Sequence, residues 1–334
     1  MTAFSVLDLS SIVEGSNAGQ ALANSLDLAR HAEALGYKRF WMAEHHGMAG
    51  IASAATAVAL AYVAGGTATI RVGAGGIMLP NHSPLVIAEQ FGTLNALHPG
   101  RIDLGLGRAP GSDMTVARAL RRNLDTDPNQ FPRDVVELQG YLAGDPQLGI
   151  MAVPGAGENV PLYILGSSLF GAQLAAILGL PYAFASHFAP GDLDEAIALY
   201  RRNFQPSAQL ARPYVMAGFN IFAADTDEEA ELLASSMQQA FVALRTGNPR
   251  QLPPPVPGYR DTLPPNAVAM LDHVLQASAI GSFDTVQRKV AAFLERTHAD
   301  ELIIACQMFD HEARKRSFSI AMDVHNALAD TVAA

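Results

Sequence analysis

Glu44, His45 and His46 stand together where the apolar run Phe40-Trp41-Met42-Ala43 ends. A carboxylate beside two imidazoles can hold and pass protons near neutral pH. The carboxyl end of a buried strand is also where α/β folds keep their chemistry. His45 and His46 are poor joint metal ligands, because adjacent side chains on a strand point to opposite faces; no metal is expected. Gly166-Ser167-Ser168 runs into a helical segment and offers backbone N–H groups, two hydroxyls and a positive helix end to a phosphate. Arg108, at the end of another strand, could neutralise the same anion. Gly73, Gly75 and Gly76 lie within one strand, where glycine lets something flat approach the backbone or permits an unusual peptide geometry.

Several chemistries read poorly. Gly105-Leu106-Gly107 would need a small residue at position 110 to make a dinucleotide-binding turn, and Pro110 stands there. There is no Gly-x-Ser-x-Gly elbow for a serine hydrolase. The single cysteine, Cys306, excludes an internal disulfide and any multi-thiolate zinc site, and suits a reducing, cytoplasmic compartment. A net charge of −10 without a Lys/Arg run argues against nucleic acid and anionic membranes. Neither a signal peptide nor an apolar run of membrane-spanning length is expected.

These residues need a scaffold, and the hydrophobic periodicity supplies one. Strands are expected at Phe4–Leu9, around Trp41, at Ile70–Leu79, Arg101–Gly107, Pro161–Gly166, Tyr182–Ser186, Tyr214–Ala223 and Glu301–Gln307. Helical spacing falls between them, at Gln20–Leu35, Ser53–Ala64, Pro84–Leu97, Val116–Arg122, Arg133–Ala143, Phe170–Leu178 and Leu193–Phe204. Thr226 caps a further helix with Glu229 three residues on. Ser282 is the expected cap of Asp284–Arg296, and Glu312–Leu328 is the last helix. Strand–helix repeats of about thirty residues demand parallel pairing. Eight of them predict a (β/α)8 TIM barrel, a single α/β domain over residues 1–334 with 49% hydrophobic residues to fill it. Thr246–Leu263 holds Pro249, Pro253, Pro254, Pro255 and Pro257, so it cannot be a regular element and is read as a lid.

The segments Ala43-Glu44-His45-His46, Gly73 to Pro80, Pro99 to Arg108, Leu165-Gly166-Ser167-Ser168 and Gly281 to Val286, in this order, resemble the bacterial luciferase-like flavin monooxygenase family. The likeness extends over nearly the whole chain. It is strongest to the branch with Gly-Arg-Ala-Pro-Gly at 107–111 rather than to the light-emitting luciferases. The resemblance implies a barrel that takes reduced FMN from a separate NAD(P)H:flavin reductase. Oxygen then gives a flavin hydroperoxide that oxidises a small organic substrate. It makes His45 the catalytic histidine and Arg108 the phosphate-binding arginine, with Gly166, Ser167 and Ser168 in the phosphate loop. Gly75-Gly76 becomes a cis peptide against which the flavin packs, and the chain a homodimer with a mobile loop at Thr246–Leu263.

One departure stands out: the luciferases carry a cysteine beside the flavin where this chain has Gly107. Chemistry of this kind needs water kept away, and Leu9, Met42, Met78 and Phe188 are the expected apolar wall of a pocket for an apolar substrate. Two other readings share the scaffold: hydride transfer with a deazaflavin, and flavin binding without turnover.

Overall fold

In the computed structural model, which describes residues 2–108, 114–120, 127 and 130–333, parallel strands wrap into a closed barrel. In chain order the elements are β1 (Ala3–Asp8), α1 (Ala18–Leu35), β2 (Arg39–Met42), α2 (Thr56–Gly65), β3 (Arg71–Met78), α3 (Pro84–Leu97) and β4 (Ile102–Gly107). Then come α4 (Met114–Leu120), α5 (Gln130–Ala143), β5 (Leu162–Gly166), α6 (Leu169–Leu178), β6 (Tyr182–Phe184), α7 (Leu193–Asn203) and β7 (Val215–Ala223). The last are α8 (Asp227–Arg245), α9 (Pro265–Val274), β8 (Ser278–Gly281), α10 (Phe283–Thr297), β9 (Glu301–Ala305) and α11 (His311–Ala333). Residues 109–111 of the Gly-Arg-Ala-Pro-Gly motif, and 121–122 of the expected Val116–Arg122 helix, lie outside the described residues.

Eight strands close the barrel: β1 to β6 pair in sequence, β6 pairs with β7, β7 with β9, and β9 with β1. The sequence reading lacked α9 and β8. β8 reads Ser-Ala-Ile-Gly, with Ile280 its one large apolar residue, too little for a hydrophobic signal. It extends the carboxyl half of β7, at Asn220–Ala223, while β6 pairs with its amino half, at Val215–Ala217. The insertion after β7 is therefore larger than the proline run. Thr226 accepts from Glu229 N at 3.2 Å, as the cap expectation required. Ser282 holds the N-cap position of α10 but does not cap; its Oγ and its N–H both donate to Asp227 Oδ1, at 2.8 and 2.6 Å.

Side-chain alternation along each strand builds two apolar layers. Phe40, Met42, Val72, Leu104, Leu106 and their neighbours face outward and pack under the helices. Leu7, Trp41, Ala43, Tyr163, Ala183, Met216, Ile303 and Ala305 face inward. The amino end of the interior is plugged by ions. Arg39 donates to Glu301 Oε1 at 2.7 Å, to Asp103 Oδ2 at 2.6 Å and to Tyr163 Oη at 2.8 Å. Trp41 Nε1 donates to Asp103 as well, at 3.2 Å. Buried charges persist only when paired in this way, and the plug leaves the carboxyl end as the place for a site.

The proline run lies across the loop that leaves β1. Leu252 N donates to Ile12 O and Glu14 N to Leu252 O, both at 2.9 Å. Gln239 Nε2 donates to Pro254 O at 2.9 Å, and Val256 N to Ser235 Oγ at 2.8 Å, which ties the run to α8. It is irregular apart from a 3-10 turn at Tyr259–Thr262. Among the described residues, no helix is long and apolar enough to cross a membrane.

Candidate active site at the carboxyl ends of the strands

Above the Trp41 layer the interior narrows to small residues. Ala43 and Ala305 belong to the inward set, and Gly75, Gly107 and Gly218 continue the inward alternation of β3, β4 and β7. A Cβ on Gly75 would lie 2.7 Å from Leu7 Cδ1 and 3.1 Å from Trp41, so this position must be glycine for β3 to sit flush. The Gly75–Gly76 peptide is cis, and the β3–β4 register shifts between Ala74 and Ile77. Leu9 and Leu165 pack on the same inner cluster. Small residues thus stand on β3, β4 and β7 above the filled Trp41 layer. Gly107, where the sequence lacks the cysteine, is open: a Cβ there would meet only Ile77 O, at 3.7 Å.

Glu44 is the buried anchor of the β2 end, 2% exposed. Its Oε2 accepts from Met78 N at 3.0 Å, which fixes the exit of β3 just past the cis peptide. Its Oε1 accepts from His46 Nε2 at 2.6 Å and His82 Nε2 at 2.8 Å. Although the group is buried, bonds from His82, His46 and Met78 N hold the Glu44 carboxyl below its usual range. The sequence reading weighed His45 with His46; the structure instead joins His46 to His82 through Glu44. These three are one of two groups of ligand-type side chains within 4.8 Å among the described residues, the other being the more exposed Asp27, His311 and Glu312.

His45 stands apart from that cluster. Burial lowers its pKa, with Glu44 opposing and His46 reinforcing the shift, so the ring is neutral near pH 7. A further imidazole, His187, follows the end of β6. The strand-end position was the signal for it. Its ring fills the space a Gly218 side chain would take: a Cβ there would lie 2.1 Å from His187 Nδ1. That nitrogen is buried without a hydrogen-bond partner. Burial, and then the nearby His45, push the His187 pKa down to about 4.

At the β4–β5 edge, Ser168 takes the N-cap position of α6 in extended conformation, yet its side chain makes no cap bond. The first N–H groups of α6 are thus left without a side-chain cap. Tyr182 Oη donates to Ser168 O at 3.1 Å and holds this turn, while Ser167 is exposed. The Arg108 guanidinium lies 4.3 Å above the Phe170 ring in the first turn of the same helix. Gly166, Ser167, Ser168 and Arg108 are therefore brought together.

Two of the expected wall positions make other contacts. Met42 is fully buried in the outer layer and faces helices, because it has the opposite parity to Trp41 and Ala43. Phe188 is 42% exposed; its ring packs on Phe241 of α8 at 6.0 Å and under Arg245 at 4.9 Å. Asp8, the last residue of β1, points outward and accepts from Arg314 Nη2 at 2.8 Å. Met78 is half-buried beside the Glu44 cluster, with Asn81 Nδ2 3.8 Å from its Sδ.

This barrel, with its glycine step, histidine and phosphate-type turn, matches the luciferase-like monooxygenase family over residues 2–301, and the chain belongs to that family. A luciferase-like monooxygenase of Escherichia coli K12 is 55% identical over 327 residues, covering 98% of each chain. The N-acetyl-S-alkylcysteine monooxygenase of Bacillus subtilis is 37% identical over 255 residues, covering 74% of this chain and 75% of its own. The crystal structure of apo-MsnO8 superposes with a TM-score of 0.88 at 34% identity, covering 98% of this chain and 99% of that one.

Proposed function

We propose that this monooxygenase binds reduced FMN, supplied by a separate NAD(P)H:flavin reductase, and uses oxygen to oxidise a small, largely apolar organic compound. The observation that carries the reading is one of placement. Small residues stand over the filled Trp41 layer, and at the β4–β5 edge an uncapped helix start has an arginine beside it. A flat ring with a phosphate tail has those two needs. The ring would lie against Gly75–Gly76. The phosphate would take the α6 N–H groups, Ser167, Ser168 and Arg108.

Reduced FMN together with oxygen supplies the oxidising equivalent when bound. This chain's own residues do the rest. His45 is kept neutral by burial, so a ring nitrogen can accept a proton at the reacting centre and return it. Glu44 fixes the exit of β3, and with it the glycine step. The proline run is tied to the loop that leaves β1, where it would limit water; as a lid, the run would open for substrate and flavin exchange.

The test is anaerobic mixing of the protein with reduced FMN, followed by oxygen and rapid-scanning absorbance. Reoxidation clearly slower or faster than for free FMN, altered by His45→Asn with FMN affinity kept, is the expected result. Reoxidation identical to free FMN overturns the reading and points to a deazaflavin.

A further inference from the structure

We propose that Glu44, His46 and His82 form a binding site for a divalent cation of the zinc type, independent of the flavin reading above. The sequence argument against a metal concerned the adjacent pair His45 and His46. The fold brings a different pair together. His46 lies in the loop after β2, two residues past Glu44, and His82 stands just before α3. Both present Nε2 to the same oxygen, Glu44 Oε1, at 2.6 and 2.8 Å. The ring centroids are 6.4 Å apart with their planes inclined at 48°, so the imidazoles converge on that point instead of stacking. The three ligand atoms all lie within 4.8 Å of one another. Two imidazoles and a carboxylate are a donor set that zinc takes, with water in the open position.

The surroundings suit an ion. Glu44 is 2% exposed, and its other oxygen accepts from Met78 N at 3.0 Å, which holds the carboxylate in place as ligating carboxylates are held. Asn81, the residue before His82, keeps Oδ1 buried without a partner. Both rings are half-buried, and neither Nδ1 is a buried unpartnered atom, so an ion has a way in and water reaches the far nitrogens. Ligands around a tetrahedral zinc stand about 3.3 Å apart, so the contacts need to open by only about 0.5–0.7 Å to admit it. When the ion takes Nε2 of each ring, the proton on that nitrogen moves to Nδ1, where water accepts from it. The group of Asp27, His311 and Glu312 has no such vacancy: Lys315 Nζ lies 3.1 Å from Asp27 Oδ2 and 3.0 Å from Glu312 Oε1, and its ammonium already neutralises them. An ion on Glu44, His46 and His82 would clasp the exit of β2 to the turn between β3 and α3.

The probe is zinc chloride, titrated by calorimetry into the full chain, stripped of metal by chelator dialysis and carrying no affinity tag. His46→Ala, His82→Ala and, at the other group, His311→Ala are the variants, and their melting temperatures without metal report folding. We expect one zinc per chain, with a dissociation constant in the micromolar range or below and a melting temperature that rises with zinc. His46→Ala and His82→Ala should each weaken zinc by about tenfold or more and remove that rise, while His311→Ala behaves as wild type. Magnesium, which prefers oxygen ligands, should not compete. Absence of zinc binding by the wild type overturns the proposal. So does equal affinity in wild type and His82→Ala, or a loss confined to His311→Ala. Should the site variants not fold, histidine-detected NMR of the wild type decides: one equivalent of zinc must convert two rings from the Nε2–H to the Nδ1–H tautomer, and unchanged rings refute the site. No arm contains flavin, so a failure of the flavin reading leaves this result standing by itself.

Discussion

Arg108→Ala separates a phosphate site from a mere surface cation. Arg108 is exposed, but its guanidinium is steadied over Phe170 at 4.3 Å, next to the uncapped start of α6. A charge-assisted hydrogen bond to phosphate contributes about 1.5–3 kcal/mol, and exposure to salt pushes the value toward the lower end. Loss of the side chain should weaken FMN by about tenfold to a hundredfold at low ionic strength. Riboflavin has the same ring without the phosphate and should weaken by less than about threefold. Fluorescence quenching with each ligand, at low and high salt, measures both constants. Equal weakening of FMN and riboflavin, or an FMN loss indifferent to salt, would refute the phosphate role.

Other consequences follow from particular contacts. Gly73→Ala places a Cβ 2.7 Å from Asp103 Cβ and Trp41 Nε1 and should destabilise by about 1–3 kcal/mol. Gly107→Ala, with 3.7 Å of room, should stay within about 0.5 kcal/mol; urea midpoints that rank the two the other way would contradict the interior packing. Glu44→Gln keeps an acceptor but removes the charge that His46, His82 and Met78 N bind. It should cost about 1–3 kcal/mol, and an unchanged midpoint would mean the cluster is solvated. The His187 pKa is about 4 in the fold against about 6.5 in the unfolded chain. The unfolded state therefore binds more protons in that window, and the contribution of His187 is full above pH 6.5 and lost as pH falls toward 4. The span amounts to about 3 kcal/mol. His187→Gln should flatten the pH dependence of the urea midpoint there, and an identical slope in variant and wild type would refute the burial argument.

The scaffold was legible because strand and helix periods are local properties of the chain. Pro84–Leu97 matches its helix residue for residue, and the Thr226 cap needs only its own turn. Glu44, His45, the glycine step and the Ser167–Ser168 turn were legible as strand-end groups for the same reason. β8 escaped because Ile280 is its one large apolar residue, too little to mark a strand. Met42 and Phe188 were misplaced because hydrophobicity says that a side chain is buried, not on which side of the strand or against which helix. Parity put Met42 under the helices, and the insertion after β7 brought Phe241 and Arg245 to Phe188.

By itself, the sequence determined a parallel barrel and the chemical groups at its strand ends, since both follow from residue type and short-range spacing. Only the tertiary structure decided which of those groups meet. Glu44 reaches His82 thirty-eight positions away, and His187 lies against Gly218 across a strand pair. Closure of the barrel sets such distances, and no local pattern encodes them.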